Sequence, residues 1–167
     1  MIGKLVKLFR SSRESTVECD KVLVNVDWFI IPLLNPDGYE FSHTSDRMWR
    51  KNRRRPPAGS QCFGVDLNRN FDLGYGLGAS KDPCQEVFQG PGPLSEPETM
   101  ALTNLGVKLN STILYYISLH AYGQSWLTPW GFKTDPVDNM DQLVDVAEAA
   151  FKEVIYPIKT TRIILSR

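Results

Sequence analysis

Val22–Leu34 reads VLVNVDWFIIPLL, and Ile113–Leu119 reads ILYYISL. Both runs are short, apolar, rich in β-branched and aromatic residues, and free of a 3.6-residue period. They predict two buried strands, Trp28 to Leu33 and Ile113 to Leu119, the second ending at His120. Pro32 falls near the end of the first strand, where a missing N–H is tolerated. Asn35-Pro36-Asp37-Gly38 follows at once and predicts a sharp turn, with proline fixing φ and glycine free to take φ > 0. Two helical patterns complete the order. Ser95-Glu96-Pro97-Glu98 has capping-box spacing with proline in the first turn, and predicts a helix to about Leu109. Met140, Leu143, Val144, Ala147, Phe151 and Val154 recur at helical spacing and predict an amphipathic helix. Strands alternating with helices specify an α/β layered fold.

Around these elements the composition is ordinary. The 167 residues set one domain; 42% are hydrophobic, 23% are charged, and 19 cations balance 19 anions. Such a chain has material for a core and is not a low-complexity or mainly disordered one. Zero net charge points to no nucleic acid, membrane surface or strongly charged substrate. No apolar run approaches the roughly 20 residues that span a bilayer. Residues 1–20 are polar and basic without periodicity and read as a loose tail. Their start, MIGKLVKLFRSSRES, has no apolar stretch of signal-peptide length, which taken literally leaves the chain in the cytosol. Two features oppose that. Cys62 and Cys84 sit in a loop-rich stretch where a bridge would staple chain with little core of its own, although two buried thiols fit the same residues. Asn110-Ser111-Thr112 is a glycosylation acceptor, meaningful only on the secretory path. Cys19 has no partner suggested by the sequence.

Residues 42–94 are rich in Gly, Pro, Asn and Arg and carry almost no periodicity. So long an irregular span in a compact domain is usually functional. Sites in α/β folds gather at the carboxyl ends of strands, where the NPDG turn, the arginine-rich loop and His120 all fall. A lone histidine is more often a satisfied structural residue than a ligand, because a catalytic zinc normally takes three protein ligands plus water. His43, in a polar loop, reads as surface. Arg47-Met48-Trp49-Arg50-Lys51-Asn52-Arg53-Arg54-Arg55 holds six cations in nine residues. A solvated basic loop accounts for Lys51 and Arg53 to Arg55. Arg47 and Arg50 suit a site, since guanidinium pairs bidentately with carboxylates and stabilises oxyanions. Asp66-Leu67-Asn68-Arg69-Asn70 sets neutral donors beside a guanidinium fork, fit for a substrate carboxylate; a turn held by Asx hydrogen bonds explains the same residues equally well.

Taken in order, these motifs combine. Asn35-Pro36-Asp37-Gly38-Tyr39, Arg47-Met48-Trp49-Arg50-Lys51, Gly64-Val65-Asp66-Leu67-Asn68-Arg69-Asn70-Phe71, Gly78-Ala79-Ser80, Ser95-Glu96-Pro97-Glu98 and Ser118-Leu119-His120-Ala121-Tyr122 follow one another. The series resembles the carboxypeptidase A/B family of zinc metallocarboxypeptidases. The resemblance implies an α/β carboxypeptidase-like fold, a layered mixed sheet with flanking helices, incomplete at both ends. The chain then reads as a single partial peptidase catalytic domain over 1–167, family-like from about 24 to 154, with a non-matching tail at 1–20 and a non-matching end at 155–167.

Position by position, the resemblance assigns His120 as a zinc ligand and Arg50 as the catalytic arginine that polarises the scissile carbonyl. It assigns Asn68 and Arg69 to the substrate's C-terminal carboxylate, and Arg47 and Tyr122 to further substrate contacts. It pairs Cys62 with Cys84, and places cis peptide bonds at Ala121-Tyr122 and Pro129-Trp130. The implied cofactor is one zinc ion, the partners are peptide or protein C-termini, and the implied setting is secreted and monomeric. The family's His-x-x-Glu ligands, its general-base Glu and its closing tyrosine have no counterpart in this sequence. The expectation is therefore that the 167-residue chain alone is inactive. A non-catalytic binder of peptide C-termini is the second reading, and nucleic-acid binding through residues 47–55 the third.

Overall fold

The computed structural model describes residues 25–123, 125–154 and 162–163. The tail expected over 1–20 and most of the end expected over 155–167 lie outside the described residues.

The first element among the described residues is a helix, α1 (Pro36–Thr44), where the sequence predicts a turn. The reason is that Asn-Pro-Asp is also a helix start. Asn35 is the N-cap, its Oδ1 accepting the Gly38 N–H at 2.9 Å, with proline in the first turn and Asp37 at the positive end of the helix. Gly38 is needed for closeness rather than for φ: a Cβ there would overlap the Asn35 amide and the Lys51 carbonyl. Asn35 Nδ2 donates to that same carbonyl at 3.1 Å, so the cap also fastens α1 to the arginine-rich loop.

Helix α2 (Pro97–Leu109) forms where expected, but without a capping box: Glu96 is its N-cap and makes no side-chain cap bond. The residues that would have formed the box are drawn into the interior. Ser95 Oγ donates to Glu96 Oε1 at 2.7 Å, and the Glu98 carboxylate accepts from Asn52 Nδ2 at 3.3 Å. Helix α3 (Met140–Val154) matches its apolar repeat and buries Ala147 to 2% exposure. Between α2 and α3, Asn110–Thr112 makes a 3-10 turn and Ser125–Trp126 forms β1, which pairs in parallel with β2 (Arg162–Ile163).

The strands expected at Trp28 to Leu33 and Ile113 to Leu119 do not form, and their side chains are not buried. Phe29 is 61% exposed and Tyr115 69%, and β1–β2 is the one sheet among the described residues. Apolar β-formers become a strand only when a neighbour takes their N–H and C=O groups in a ladder, which no local pattern in these runs specifies.

The packed centre lies instead in the expected loop, between the end of α1 and the start of α2. Val65, Leu67 and Phe88 are buried there. Backbone bonds fold this chain on itself: Asn52 N to Val65 O, Gly64 N to Arg54 O, Asp66 N to Phe88 O, and Gln89 N to Ser80 O, all between 2.8 and 3.0 Å. Cys62 and Cys84 are bridged. Closing a loop of 22 residues' separation contributes about 3 kcal/mol through the unfolded state.

Much of this centre is polar. Asn70, fully buried, donates through Nδ2 to Gln89 O at 2.8 Å, Gly92 O at 3.1 Å and Ser95 Oγ at 2.9 Å. Its Oδ1 accepts from Glu96 N at 3.2 Å and Thr99 Oγ1 at 2.7 Å. Glu96, 1% exposed, receives Arg54 Nη1 and Asn52 Nδ2, each at 2.8 Å. Among the described residues no buried side-chain polar atom lacks a partner, so the network rigidifies the loop without a desolvation cost left over.

Candidate functional site

The 3-10 turn Leu67–Arg69 is started by Asp66, whose Oδ1 accepts the Asn68 N–H at 3.1 Å. The Asx turn read from the sequence is thus present, and it coexists with a second job for the same carboxylate. Asp66 Oδ2 accepts both Nε and Nη2 of Arg50, at 3.0 and 2.9 Å. Asp66 is buried at 3% side-chain exposure while Arg50 keeps 43%. A buried anion thus holds a half-exposed guanidinium, in charge-assisted bonds that fix its plane.

Arg69 is held by carbonyls: its Nε donates to Gly78 O at 3.0 Å and its Nη1 to Asn68 O at 3.1 Å. Asn68 is exposed. Arg50, Asp66, Asn68 and Arg69 therefore form one bonded string across two loops. The string presents two guanidinium groups and an amide without a carboxylate in the outer position, an arrangement suited to an anion.

The other assigned residues stand outside that string. His120 is exposed and bonds Ser118 Oγ through Nε2 at 3.0 Å. Tyr122 is 97% exposed, and Arg47 is exposed too. No hydrogen bond joins these three to Arg50, Asn68 or Arg69 among the described residues. The Ala121-Tyr122 and Pro129-Trp130 peptides are both cis, as the resemblance implied. His43 is exposed on α1, 4.5 Å from the Tyr39 ring.

Three residues of the basic run are not the solvated loop expected of them. Lys51 is 3% exposed and its Nζ donates to Pro83 O at 2.8 Å. Burial pushes its pKa below the ordinary 10.5, against the opposing pull of Glu86, Asp82 and Asp66. The Arg53 guanidinium lies over three rings, 3.6 Å from Phe41, 4.5 Å from Trp49 and 4.8 Å from Phe63, and Arg54 pairs with Glu96. Trp49 within the run was the one local signal; Phe41 and Phe63 lie outside it. In the sequence Asp66 is one residue of a five-residue motif, and its partner Arg50 is 16 positions away, beyond any local pattern.

The family by description "Zinc carboxypeptidase" matches residues 1–162. The chain belongs to that family. Human carboxypeptidase A1 is 44% identical over 130 residues, covering 77% of this chain and 30% of that relative. Human carboxypeptidase O is 38% identical over 146 residues, covering 87% of this chain and 39% of the relative. Bovine thrombin-activatable fibrinolysis inhibitor, solved in complex with tick carboxypeptidase inhibitor, superposes with a TM-score of 0.74 at 35% identity, covering 82% of this chain and 47% of that one. The carboxypeptidase α/β fold read from the sequence is therefore the fold to which this chain belongs, of which it spans less than half the length of these relatives.

Whether the described residues fit a zinc ion is decided by their donors. Among them no group of three or more His, Cys, Asp or Glu side chains converges, and His120 has a serine hydroxyl as its neighbour. These residues do not fit a closed zinc site. One imidazole does not hold the ion against water.

Proposed function

We propose that this chain supplies the carboxylate-gripping part of a metallocarboxypeptidase that hydrolyses the C-terminal peptide bond of peptides and proteins. The observation that carries it is the Arg50–Asp66–Asn68–Arg69 string. In this reading Asn68 and Arg69 bind the terminal carboxylate, Arg50 orients the carbonyl oxygen of the bond to be cut, and Arg47 and Tyr122 line the approach. His120 is the zinc ligand that this chain contributes to the holoenzyme. The 167-residue polypeptide by itself is a single partial domain and does not catalyse the reaction.

A second reading is favoured by one observation, the lack of a converging metal-ligand group among the described residues. With the gripping residues kept, the chain would bind peptide C-termini without cutting them. Nucleic-acid binding is opposed by geometry: Lys51, Arg53 and Arg54 are each engaged by Pro83, aromatic rings or Glu96. That leaves Arg47, Arg50 and Arg55 of the six cations. An extracellular monomer is the proposed setting, supported by the Cys62–Cys84 bridge. No helix among the described residues is long and apolar enough to cross a membrane.

The test compares one peptide as free acid and as C-terminal amide, by fluorescence anisotropy and by product analysis with added zinc. Binding of the acid alone, abolished by Arg69→Ala, supports the grip. Equal binding of acid and amide would sink it, and zinc-dependent release of the last residue would end the claim of inactivity for the chain alone.

A further inference from the structure

Asn110-Ser111-Thr112 takes no part in the string described above, yet the fold presents it completely. All three residues are exposed and form the 3-10 turn that follows α2. An asparagine at a helix end is commonly there to take the left-handed conformation. Asn110 is not: its φ of −39° and ψ of −53° are right-handed, and the cap is made by its backbone N–H on Val107 O. Among the described residues its side-chain amide bonds to nothing. Thr112 Oγ1 donates to Leu109 O at 2.8 Å and keeps its lone pairs for a further donor. Neither side chain is buried, and beyond the Thr112 bond to the Leu109 carbonyl the fold gives no reason for this triplet. The flanking Val107 and Leu114 are 72% and 73% exposed, apolar surface that a bulky polar group would cover.

We propose that Asn110 is an N-glycosylation site, modified in the same oxidising compartment that forms the Cys62–Cys84 bridge. The inference rests on the extracellular setting proposed above and is independent of the peptidase reading. In the transfer, the Asn110 amide nitrogen bonds to the anomeric carbon of a lipid-pyrophosphate-linked oligosaccharide. The carbon–oxygen bond to pyrophosphate breaks, the amide gives up one proton, and the lipid pyrophosphate leaves. A single exposed 3-10 turn opens readily enough to enter a transferase, and once refolded it leaves the sugar in solvent.

The experiment expresses the full chain behind a cleavable secretion leader in animal cells. Peptide-N-glycosidase in heavy-oxygen water then marks each formerly glycosylated asparagine as labelled aspartate for mass spectrometry. Label at residue 110, lost in both Asn110→Gln and Thr112→Ala and retained in Thr112→Ser, is the expected result. Release of the sugar without denaturant is expected too, because the site is exposed. An unlabelled Asn110 in secreted chain overturns the proposal. Thiol titration of that product under denaturant separates the causes: one thiol per chain and no sugar, with Cys62 and Cys84 bridged, condemns the site alone, whereas three thiols and no sugar condemn the secretory setting with it.

Discussion

At the scale of single residues, Asp66 does two jobs. Its two oxygens start the 3-10 turn and hold the Arg50 guanidinium, so its loss acts on stability and on binding together. Asp66→Ala is expected to cost about 2 kcal/mol, less than a fully buried pair because Arg50 can turn to water. Urea unfolding reads that figure, and free-acid peptide binding should weaken in parallel while the amide control stays unchanged. Asn70 is a stricter case. Removing its amide leaves the Gln89 carbonyl and the Glu96 N–H unpaired in the interior, while the Gly92 carbonyl keeps the Ser95 N–H. Asn70→Ala should therefore destabilise by about 3–5 kcal/mol, read as a shift of the urea midpoint. Neither role is legible from the sequence, in which an asparagine inside Asn-Arg-Asn looks like another turn residue. The partners of Asn70 lie 19 to 29 positions away, and side-chain bonds over such gaps leave no periodic mark.

Lys51 supplies a pH dependence at the same scale. Burial lowers its folded pKa below the ordinary 10.5, so the unfolded chain holds the proton more tightly. Stability carries a penalty at neutral pH that is relieved as pH rises from the folded pKa towards 10.5. Lys51→Met lacks that proton. The difference in unfolding free energy between wild type and variant should move in favour of wild type across this alkaline window, as followed by urea melts at stepped pH. A difference that stays flat would show that the ammonium is not desolvated.

Elements sort by how local their causes are. Helices α2 and α3 follow from proline and apolar spacing, and both were readable. The turn expected at Asn35–Gly38 became α1, since the same Asn-Pro-Asp signals serve either outcome and the Lys51 carbonyl settles which. Asn35→Ala removes the N-cap bond and the tie to that carbonyl, and should cost about 1–2 kcal/mol, measurable as lost helical ellipticity and a lower melting temperature. The two strands needed neighbours that no local pattern specifies, and neither run forms a strand among the described residues. The long loop is the reverse case, irregular in sequence yet densely bonded. Opening its bridge by Cys62→Ser with Cys84→Ser should lower stability by about 3 kcal/mol. Urea titration of wild type with and without reductant, set beside the double variant, separates the bridge from the side chains.

For the whole molecule, the decisive quantity is where the apolar surface lies. The interior found here is a polar network around Val65, Leu67 and Phe88, whereas the two most apolar runs face solvent: Ile31 is 45% exposed, Leu114 73% and Ile117 64%. Contiguous apolar surface of this kind, on β-forming chain that lies in no sheet among the described residues, favours edge-to-edge association. The monomer proposed for the holoenzyme is therefore not expected of the isolated 167 residues. Sedimentation velocity should show mass rising with concentration, and a hydrophobic dye should bind the soluble fraction. Placing one charge in each run, by Ile31→Lys and Ile117→Lys, should return the sedimentation profile towards a single small species while leaving the bonded centre intact. Peptide-acid binding reports on that centre directly, because neither substituted position touches Arg50, Asn68 or Arg69. If the doubly charged chain still associates, the apolar runs are not the cause and the surface has to be sought elsewhere. If it becomes monomeric and loses the peptide, the runs support the gripping string from a distance.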